Sequence, residues 1–389
     1  MGSKRRPKIL FLTGIRSEYD IMYPVIRALH ESKEFEVGVI VAGAHLSKTF
    51  GLSVEQIRED DVLVVDRIES LLDSNSLGGR IKGAAMLLSG LIQTLTREHP
   101  DVLMVFGDRE EAIMGALAGA YMNIIVAHVG GGDPLMRNVD DCVRQAVTKL
   151  AHLHFTFSQE AYERVLKLGE EPWRVFETGN PALDRLRETP WMEREELSRQ
   201  LGVPVDHSPL VVVIQHVVST EAHDAARQME ITMRAVCALG YRALMVYPNS
   251  DAGARDLICV LSQYEQAPGV TIARHIPRRE FVNLLRHASV LVGNSSAGIM
   301  EAPYLKLPVV NIGNRQRGRL HAENLLFVDH DVEQIKTAIV QAVSDQTFRE
   351  RVERCESPYG DGQSAQRILE ILRTIDFNDP KWLIKQMTF

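Results

Sequence analysis

Several short stretches of this sequence set a glycine turn beside side chains that hold anions or move protons. In Gly14-Ile15-Arg16-Ser17-Glu18 an arginine stands just ahead of a helix-periodic segment. A guanidinium at a helix N-terminus suits a phosphate, while a surface Arg16 with Ser17 as a helix cap fits the same residues. Gly107-Asp108-Arg109 follows an apolar run. There Asp108 is either the N-cap of the next helix or a carboxylate that takes a proton or orients a base. The glycines of His128-Val129-Gly130-Gly131-Gly132-Asp133 let the backbone approach a ligand closely, unless the stretch is a loop turned by Asp133-Pro134. Asp140 and Arg144 are four apart, so they share a helical face and can pair, as an ordinary exposed ion pair or as part of a site. His216 ends an apolar run, as a satisfied structural histidine or as a donor to a leaving phosphate.

The strongest signal is Gly293-Asn294-Ser295-Ser296-Ala297-Gly298-Ile299-Met300-Glu301. A glycine turn with small hydroxyls ahead of a helix is an anion site, and Glu301, one turn further, can accept from ribose hydroxyls. Gly313-Asn314-Arg315-Gln316-Arg317-Gly318-Arg319 adds three arginines, a solvated basic loop or a phosphate contact. These residues point to a nucleotide-linked ligand. By themselves they do not separate a glycosyltransferase from a nucleotide-sugar isomerase.

Such groups must be positioned by elements, and the elements alternate. Short runs that are apolar on both faces (8–13, 35–41, 101–106, 124–128, 154–157) are separated by helix-periodic segments (17–30, 79–97, 109–121, 139–151, 159–167). That grammar predicts a parallel sheet covered on both sides. A proline-bearing, charged connector over 179–206 precedes a second series. Its strands are 210–215, 243–247, 270–273, 290–292 and 308–311, and its helices 221–239, 254–264, 279–287 and 298–305, with closing helices at 332–344 and 364–374. The expectation is two Rossmann-like, doubly wound α/β domains, 1–180 and 181–369, with an interdomain cleft at the carboxyl ends of the strands. The chain has 389 residues, 45% hydrophobic and 24% charged, which supports two cores. Its net charge of −7 argues against nucleic acid as a partner. No stretch is long and apolar enough for a membrane span, and Ile9–Thr13 is too short for a signal-peptide core. Four scattered cysteines without a CxxC pair fit a reducing compartment, so a cytoplasmic protein without a metal site is expected.

The ordered motifs resemble the UDP-N-acetylglucosamine 2-epimerases, above all the hydrolysing branch of sialic- and legionaminic-acid pathways. The similarity spans about residues 8–375. It runs through Gly14–Asp20, Gly43-Ala44-His45-Leu46, Gly107-Asp108-Arg109, Asp140-Asp141-x-x-Arg144 and Gln215-His216. It continues in Pro248-Asn249-x-Asp251-Ala252-Gly253, Gly293-Asn294-Ser295-Ser296, Arg315-Gln316-x-Gly318-Arg319 and Pro358-Tyr359-Gly360-Asp361-Gly362. The resemblance implies a fold similar to the GT-B glycosyltransferases, with the last helices, about 370–389, returning to the first domain. It implies UDP on the second domain, with Asn294, Ser295 and Ser296 at phosphate, Glu301 at ribose, and the base near His275-Ile276. Arg16, Ser17, His45, Arg109, His216, Asn249 and Arg315 would join the substrate-binding set. Asp108 and Asp140 would carry the protons, with Arg144 fixing Asp140. A homodimer or homotetramer and no metal or redox cofactor are implied as well.

One position departs from that family pattern. Members often carry a carboxylate two residues after the equivalent of His128, where this chain has Gly130. Asp133 or Asp141 would then substitute, or Gly130 makes room for a bulkier sugar such as a 2,4-diacetamido-2,4,6-trideoxy sugar. The alternatives to a hydrolysing epimerase are a non-hydrolysing 2-epimerase, a GT-B glycosyltransferase, and an inactive nucleotide-sugar sensor.

Overall fold

The computed structural model describes all residues except 1–4, 49–51, 73–76, 135–138, 207–208, 249–253, 275 and 389. The chain divides into two units. One takes the chain up to Arg185 and again from Tyr359; the other is Leu186–Pro358.

The first unit alternates strands and helices as its apolar pattern demands. In order they are β1 (Lys8–Thr13), α1 (Arg16–Ser32), β2 (Glu36–Ala42), α2 (Val54–Glu59), β3 (Val64–Ile68), α3 (Leu77–Glu98) and β4 (Val102–Phe106). There follow α4 (Glu110–Tyr121), β5 (Ile125–Val129), α5 (Val139–Leu150), β6 (Leu153–Thr156), α6 (Gln159–Lys167), β7 (Val175–Glu177) and α7 (Pro181–Glu188). The strands form one parallel sheet in the order β3-β2-β1-β4-β5-β6-β7. Side chains of a strand alternate between faces, so Leu10, Leu12, Leu103 and Val105 pack with Leu87, Leu91, Ala116 and Val147 of α3, α4 and α5. The small residues of α4 let it lie close to the sheet. A Cβ on Gly115 would stand 2.8 Å from both Leu12 and Val105 side chains.

The second unit repeats the arrangement with α8 (Arg194–Leu201), β8 (Leu210–Ile214), α9 (Ala225–Ala238), β9 (Arg242–Val246), α10 (Ala254–Gln263), β10 (Val270–Ala273) and α11 (Arg278–His287). It continues with β11 (Val290–Gly293), α12 (Ala297–Met300), β12 (Val309–Ile312), β13 (Leu325–Val328), α13 (Val332–Ser344) and α14 (Gln346–Arg354). The parallel order is β10-β9-β8-β11-β12-β13. Val211 and Val213 pack with Met229, Met233 and Ile335, whereas Leu210, Val212 and Ile214 pack with Leu197, Leu284 and Leu285. In each sheet the order reverses beside the first strand, between β1 and β4 and between β8 and β11. At such a switch point the connections diverge and leave room for a ligand.

Three strands escape the sequence pattern. β3, interrupted by Asp66 and Arg67, and β7, three residues ending in Glu177, lack the continuous apolar run of a central strand, while β13 has one, Leu325–Val328, on a half-exposed edge strand that the sequence reading passed over. The helix expected over 298–305 is regular only as far as Met300, because Pro303 has no N–H to continue it. No helix among the described residues is long and apolar enough to cross a membrane.

The return to the first unit comes at Tyr359, before the last helix, α15 (Ser364–Arg373), and not near residue 370 as the sequence suggested. The reason is local. Asn180 N–H donates to the Tyr359 carbonyl at 2.8 Å. The buried Asp184 carboxylate accepts from Ser364 N–H at 3.0 Å and Ala365 N–H at 2.9 Å, capping α15. Caps of this kind contribute about 0.5–2 kcal/mol. Asp184→Ala is therefore expected to lower the melting temperature by several degrees while leaving the circular dichroism spectrum native; an unchanged melt would show that α15 needs no such anchor.

Candidate active site

In the first unit the candidate residues leave the carboxyl ends of β1, β4 and β5. Gly107 follows β4, and Asp108 is not the N-cap of α4; that position is Arg109, in extended backbone. The Asp108 carboxylate instead takes a short ion pair from Arg144 Nη2. Arg144, on α5, is buried and also donates Nη1 to the Gly130 carbonyl at 2.7 Å, with Asp133 Oδ2 at 3.8 Å. Burial alone would loosen the Arg144 proton, but Asp108 and Asp133 more than reverse that, so the guanidinium stays charged. The guanidinium expected to fix Asp140 thus turns to Asp108 and Asp133. Asp140, partly exposed, lies 3.9 Å from Arg80, which also holds Glu110 at 2.7 Å. The structure therefore groups the partly buried Asp108 and the buried Asp133 about the buried Arg144, with Asp140 linked to Arg80.

A histidine the sequence reading left without a role supports this cluster. His128 is fully buried, and its Nε2 lies 2.8 Å from the Gly107 carbonyl. A carbonyl only accepts, so Nε2 carries the proton and Nδ1 faces Thr148 Oγ1 at 3.2 Å. Burial holds the ring neutral, with a pKa lowered to about 3. His128 thereby ties the turn bearing Asp108 to α5, which bears Arg144.

Gly130 lies in left-handed backbone. Its φ is +85°, and a Cβ there would stand 2.9 Å from the ring of Phe157. A side chain at Gly130 would therefore meet Phe157. Asp133, 2% exposed, is the carboxylate of this loop that reaches Arg144.

Beside β1, Ser17 is exposed and does not cap α1; Ile15 is its N-cap, and Glu18 reaches back to accept from Gly14 N–H at 3.0 Å. Arg16 pairs with Asp20 at 3.5 Å. His45 is corrected from a substrate contact to a buried structural group, since Thr13 Oγ1 at 3.0 Å and Ser53 Oγ at 2.7 Å occupy its two nitrogens. Arg109 Nε lies 3.9 Å from Glu18 and 3.4 Å from Glu111, both buried. Burial and the neighbouring Glu111 push the Glu18 carboxyl well above the ordinary carboxylate range. Glu111, which directly follows the Arg109-Glu110 pair, is shifted the same way, again by burial first. The sequence reading gave neither acid a role.

In the second unit the residues cluster at the β8–β11 switch. His216 N–H donates to Asn294 Oδ1 at 2.7 Å, and Asn294 Nδ2 donates to the His216 carbonyl at 2.8 Å. The Asn294 carbonyl accepts from Arg315 Nη1 at 3.0 Å and Gln316 Nε2 at 2.9 Å, and Arg319 holds the Gln316 oxygen. Asn294 is therefore a staple between loops, with its side chain engaged by the His216 backbone. Ser295 and Ser296 are half-buried at the start of α12. Ser295 Oγ accepts from Ala297 N–H at 3.3 Å, and Ser296 is the N-cap residue. Burial, aided by Arg315, lowers the His216 pKa to about 3, so its ring is a neutral hydrogen-bonding group and not a proton store. Glu301 pairs with Arg278 Nη2 at 3.5 Å, a partner the sequence reading missed three residues beyond His275. Ile276 is a core side chain, leaving only its backbone for recognition. Asn249, the rest of its motif through Gly253, and His275 lie outside the described residues. Among the described residues no group of three or more His, Cys, Asp or Glu is arranged to hold a metal ion.

Comparison with known proteins gives a consistent picture. The family model for UDP-N-acetylglucosamine 2-epimerase matches residues 27–373. A UDP-N,N'-diacetylbacillosamine 2-epimerase (hydrolyzing) of Legionella pneumophila is 31% identical over 368 residues, 95% of this chain and 96% of its own. A UDP-N-acetylglucosamine 2-epimerase of Neisseria meningitidis is 30% identical over 341 residues, 87% of this chain and 88% of its own. In fold, the chain is similar to a crystal structure of UDP-GlcNAc 2-epimerase from Neisseria meningitidis bound to UDP-GlcNAc. The TM-score is 0.81 at 18% identity, covering 95% of this chain and 100% of that one.

Two stability outcomes follow from this geometry. Gly130→Ala meets both a left-handed backbone and Phe157, and is expected to cost about 1–3 kcal/mol in a denaturant melt; full stability would mean that the loop re-forms around the methyl group. Glu18 has a raised carboxyl pKa, so its contribution is complete at low pH and is lost as pH rises through that folded-state value. Glu18→Gln should therefore match the parent near pH 4 and exceed it increasingly at higher pH. Parallel stability curves for the two proteins would contradict this.

Proposed function

The chain belongs to the UDP-N-acetylglucosamine 2-epimerase family, and from that premise we propose that it is a hydrolysing nucleotide-sugar 2-epimerase. Its substrate is UDP-N-acetylglucosamine or a UDP- or GDP-linked 2,4-diacetamido-2,4,6-trideoxyglucose. The observation that carries the reading is the grouping of Asp108 and Asp133 about the buried Arg144 at the β4 and β5 ends of the first sheet. A sugar C2 proton is weakly acidic, so its removal needs a held carboxylate and a stabilised leaving group.

In the proposed reaction a carboxylate, Asp108 or Asp140, takes the C2 proton. The electron pair forms the C1=C2 bond of a 2-acetamidoglycal as the C1–O bond to the nucleotide breaks, in an anti sense. Water then adds to C1, giving up a proton, and C2 is protonated from the opposite face by the other residue in its carboxylic acid form. The products are the free 2-epimeric sugar and the nucleoside diphosphate. Two acids in unlike surroundings suit a base and an acid, and Asp108, held by a buried arginine, differs from the partly exposed Asp140. Asp133 supplies the loop carboxylate that Gly130 lacks. On the second unit Arg315, Ser295, Ser296 and the neutral His216 are suited to the diphosphate, and Glu301 to the ribose. The hydrolysing outcome draws on the Asp140-Asp141-x-x-Arg144 helix and on the Legionella relative.

The test is NMR in D₂O with each donor. Free nucleotide with a C2-deuterated epimeric sugar is expected, and the better donor identifies the sugar. A C2-deuterated sugar still linked to its nucleotide would replace the proposal with a non-hydrolysing epimerase. No deuterium at C2 from any donor would overturn it. Asp108→Asn is expected to cut turnover by about 10²–10⁴-fold while the nucleotide still binds; undiminished turnover would remove Asp108 from the chemistry.

A further inference from the structure

A second group of buried charges lies at the far end of α5. Glu170, wholly buried, has Lys149 Nζ at 2.6 Å, Lys385 Nζ at 2.7 Å and His154 Nε2 at 3.1 Å. Lys385 comes from the end of the chain. Its ammonium also donates to the carbonyls of Lys149 at 2.8 Å, Ala151 at 2.5 Å and Thr148 at 3.4 Å. These carbonyls close α5. The last carbonyls of a helix lack N–H partners and carry the negative end of its dipole, so an ammonium there is a cap. The segment bearing Lys385 is held separately. Arg174, fully buried, donates to the carbonyls of Lys381, Trp382 and Ile384, and Thr388 N–H donates to Gly169 at 3.1 Å.

The same helix carries Asp140 and Arg144. Thr148, whose carbonyl faces Lys385, turns its hydroxyl to His128, and His128 holds the Gly107 carbonyl next to Asp108. We propose that the chain's last segment is a positioning element of the proton-transfer site, with Lys385, by capping α5, setting where Arg144 and Asp140 stand. This rests on the epimerase reading of that site.

The charges around Lys385 give the proposal a signature. Burial opposes ionisation of Glu170, but hydrogen bonds from His154, Lys149 and Lys385 overcome it and hold the carboxyl at about 2. Burial lowers His154, and it lowers His152 to about 4, so the ammonium faces Glu170, Lys149 and the Arg174 guanidinium across neutral rings. Burial brings the Lys385 ammonium down from 10.5 to about 8, against the pull of Glu170. Above that pH the cap loses its charge. Because the folded value lies below the free one, the unfolded chain binds more protons between about 8 and 10.5, and this group adds stability as pH rises. A fall in turnover in that window then reports geometry at the site and not unfolding.

The experiment compares the full chain with Lys385→Met and with Lys385→Met/Glu170→Gln, which removes the carboxylate left behind if the single variant folds poorly. The readouts are kcat and KM by nucleotide release, nucleotide affinity, and hydrogen exchange of α5 amides. The expected result is a drop in kcat of on the order of ten- to a hundredfold with KM and nucleotide affinity held. Exchange should quicken in α5, and the alkaline limb near pH 8 should disappear. A kcat within twofold of the parent, or α5 exchange unchanged, would overturn the proposal. If the parent itself puts no deuterium at C2, the epimerase reading fails, while hydrogen exchange still decides whether Lys385 holds α5.

Discussion

The first unit depends on one buried guanidinium. Arg144 is buried on α5, where it binds Asp108 from the β4 turn and the Gly130 carbonyl from the β5 loop, with Asp133 close by. Removing a charge of this kind leaves its partners buried and unpaired, which costs several kcal/mol, so turn, loop and helix are fixed together. His128 adds a second tie between the same turn and helix, and it does so as a neutral ring because burial denies it a charge. The arrangement holds a carboxylate at a strand end in one orientation, and C2 deprotonation requires that of a base.

The second unit solves the corresponding problem with a neutral group. At its switch point Asn294 bonds both backbone groups of His216, and its own carbonyl collects Arg315 and Gln316. Three loops thereby share one residue. An amide offers a donor and an acceptor at once, so it can pair with a peptide group in both directions, which an ionised carboxylate, having no donor, cannot do. The arginine expected to meet phosphate is in this way held before any ligand arrives, and a group oriented in advance stabilises developing charge without reorganisation.

Much of this was legible in the residue order. The central strands are apolar runs between amphipathic helices, and burial on both faces of a parallel sheet demands that pattern. The edge strands β3 and β7 were not legible, since neither carries such a run, and the short apolar run of β13, Leu325–Val328, was passed over. Among the candidate residues, Asp108, Asp133 and Arg144 were each picked out from the residue order. Their grouping was misjudged: spacing along α5 suggested Asp140 for Arg144, but a long side chain reaches across to other strand ends as easily as to its own helix.

The sequence by itself determined the two-sheet α/β architecture, the strand-end location of the candidate residues and the family, because periodicity and ordered motifs are local properties of the chain. Only the tertiary structure decided which carboxylates Arg144 binds, that His45 is a buried structural group, that Phe157 fills the space beside Gly130, and that Lys385 caps α5. Those depend on contacts between residues distant in the chain, and on burial, which changes both the charge a group carries and the partners it can reach.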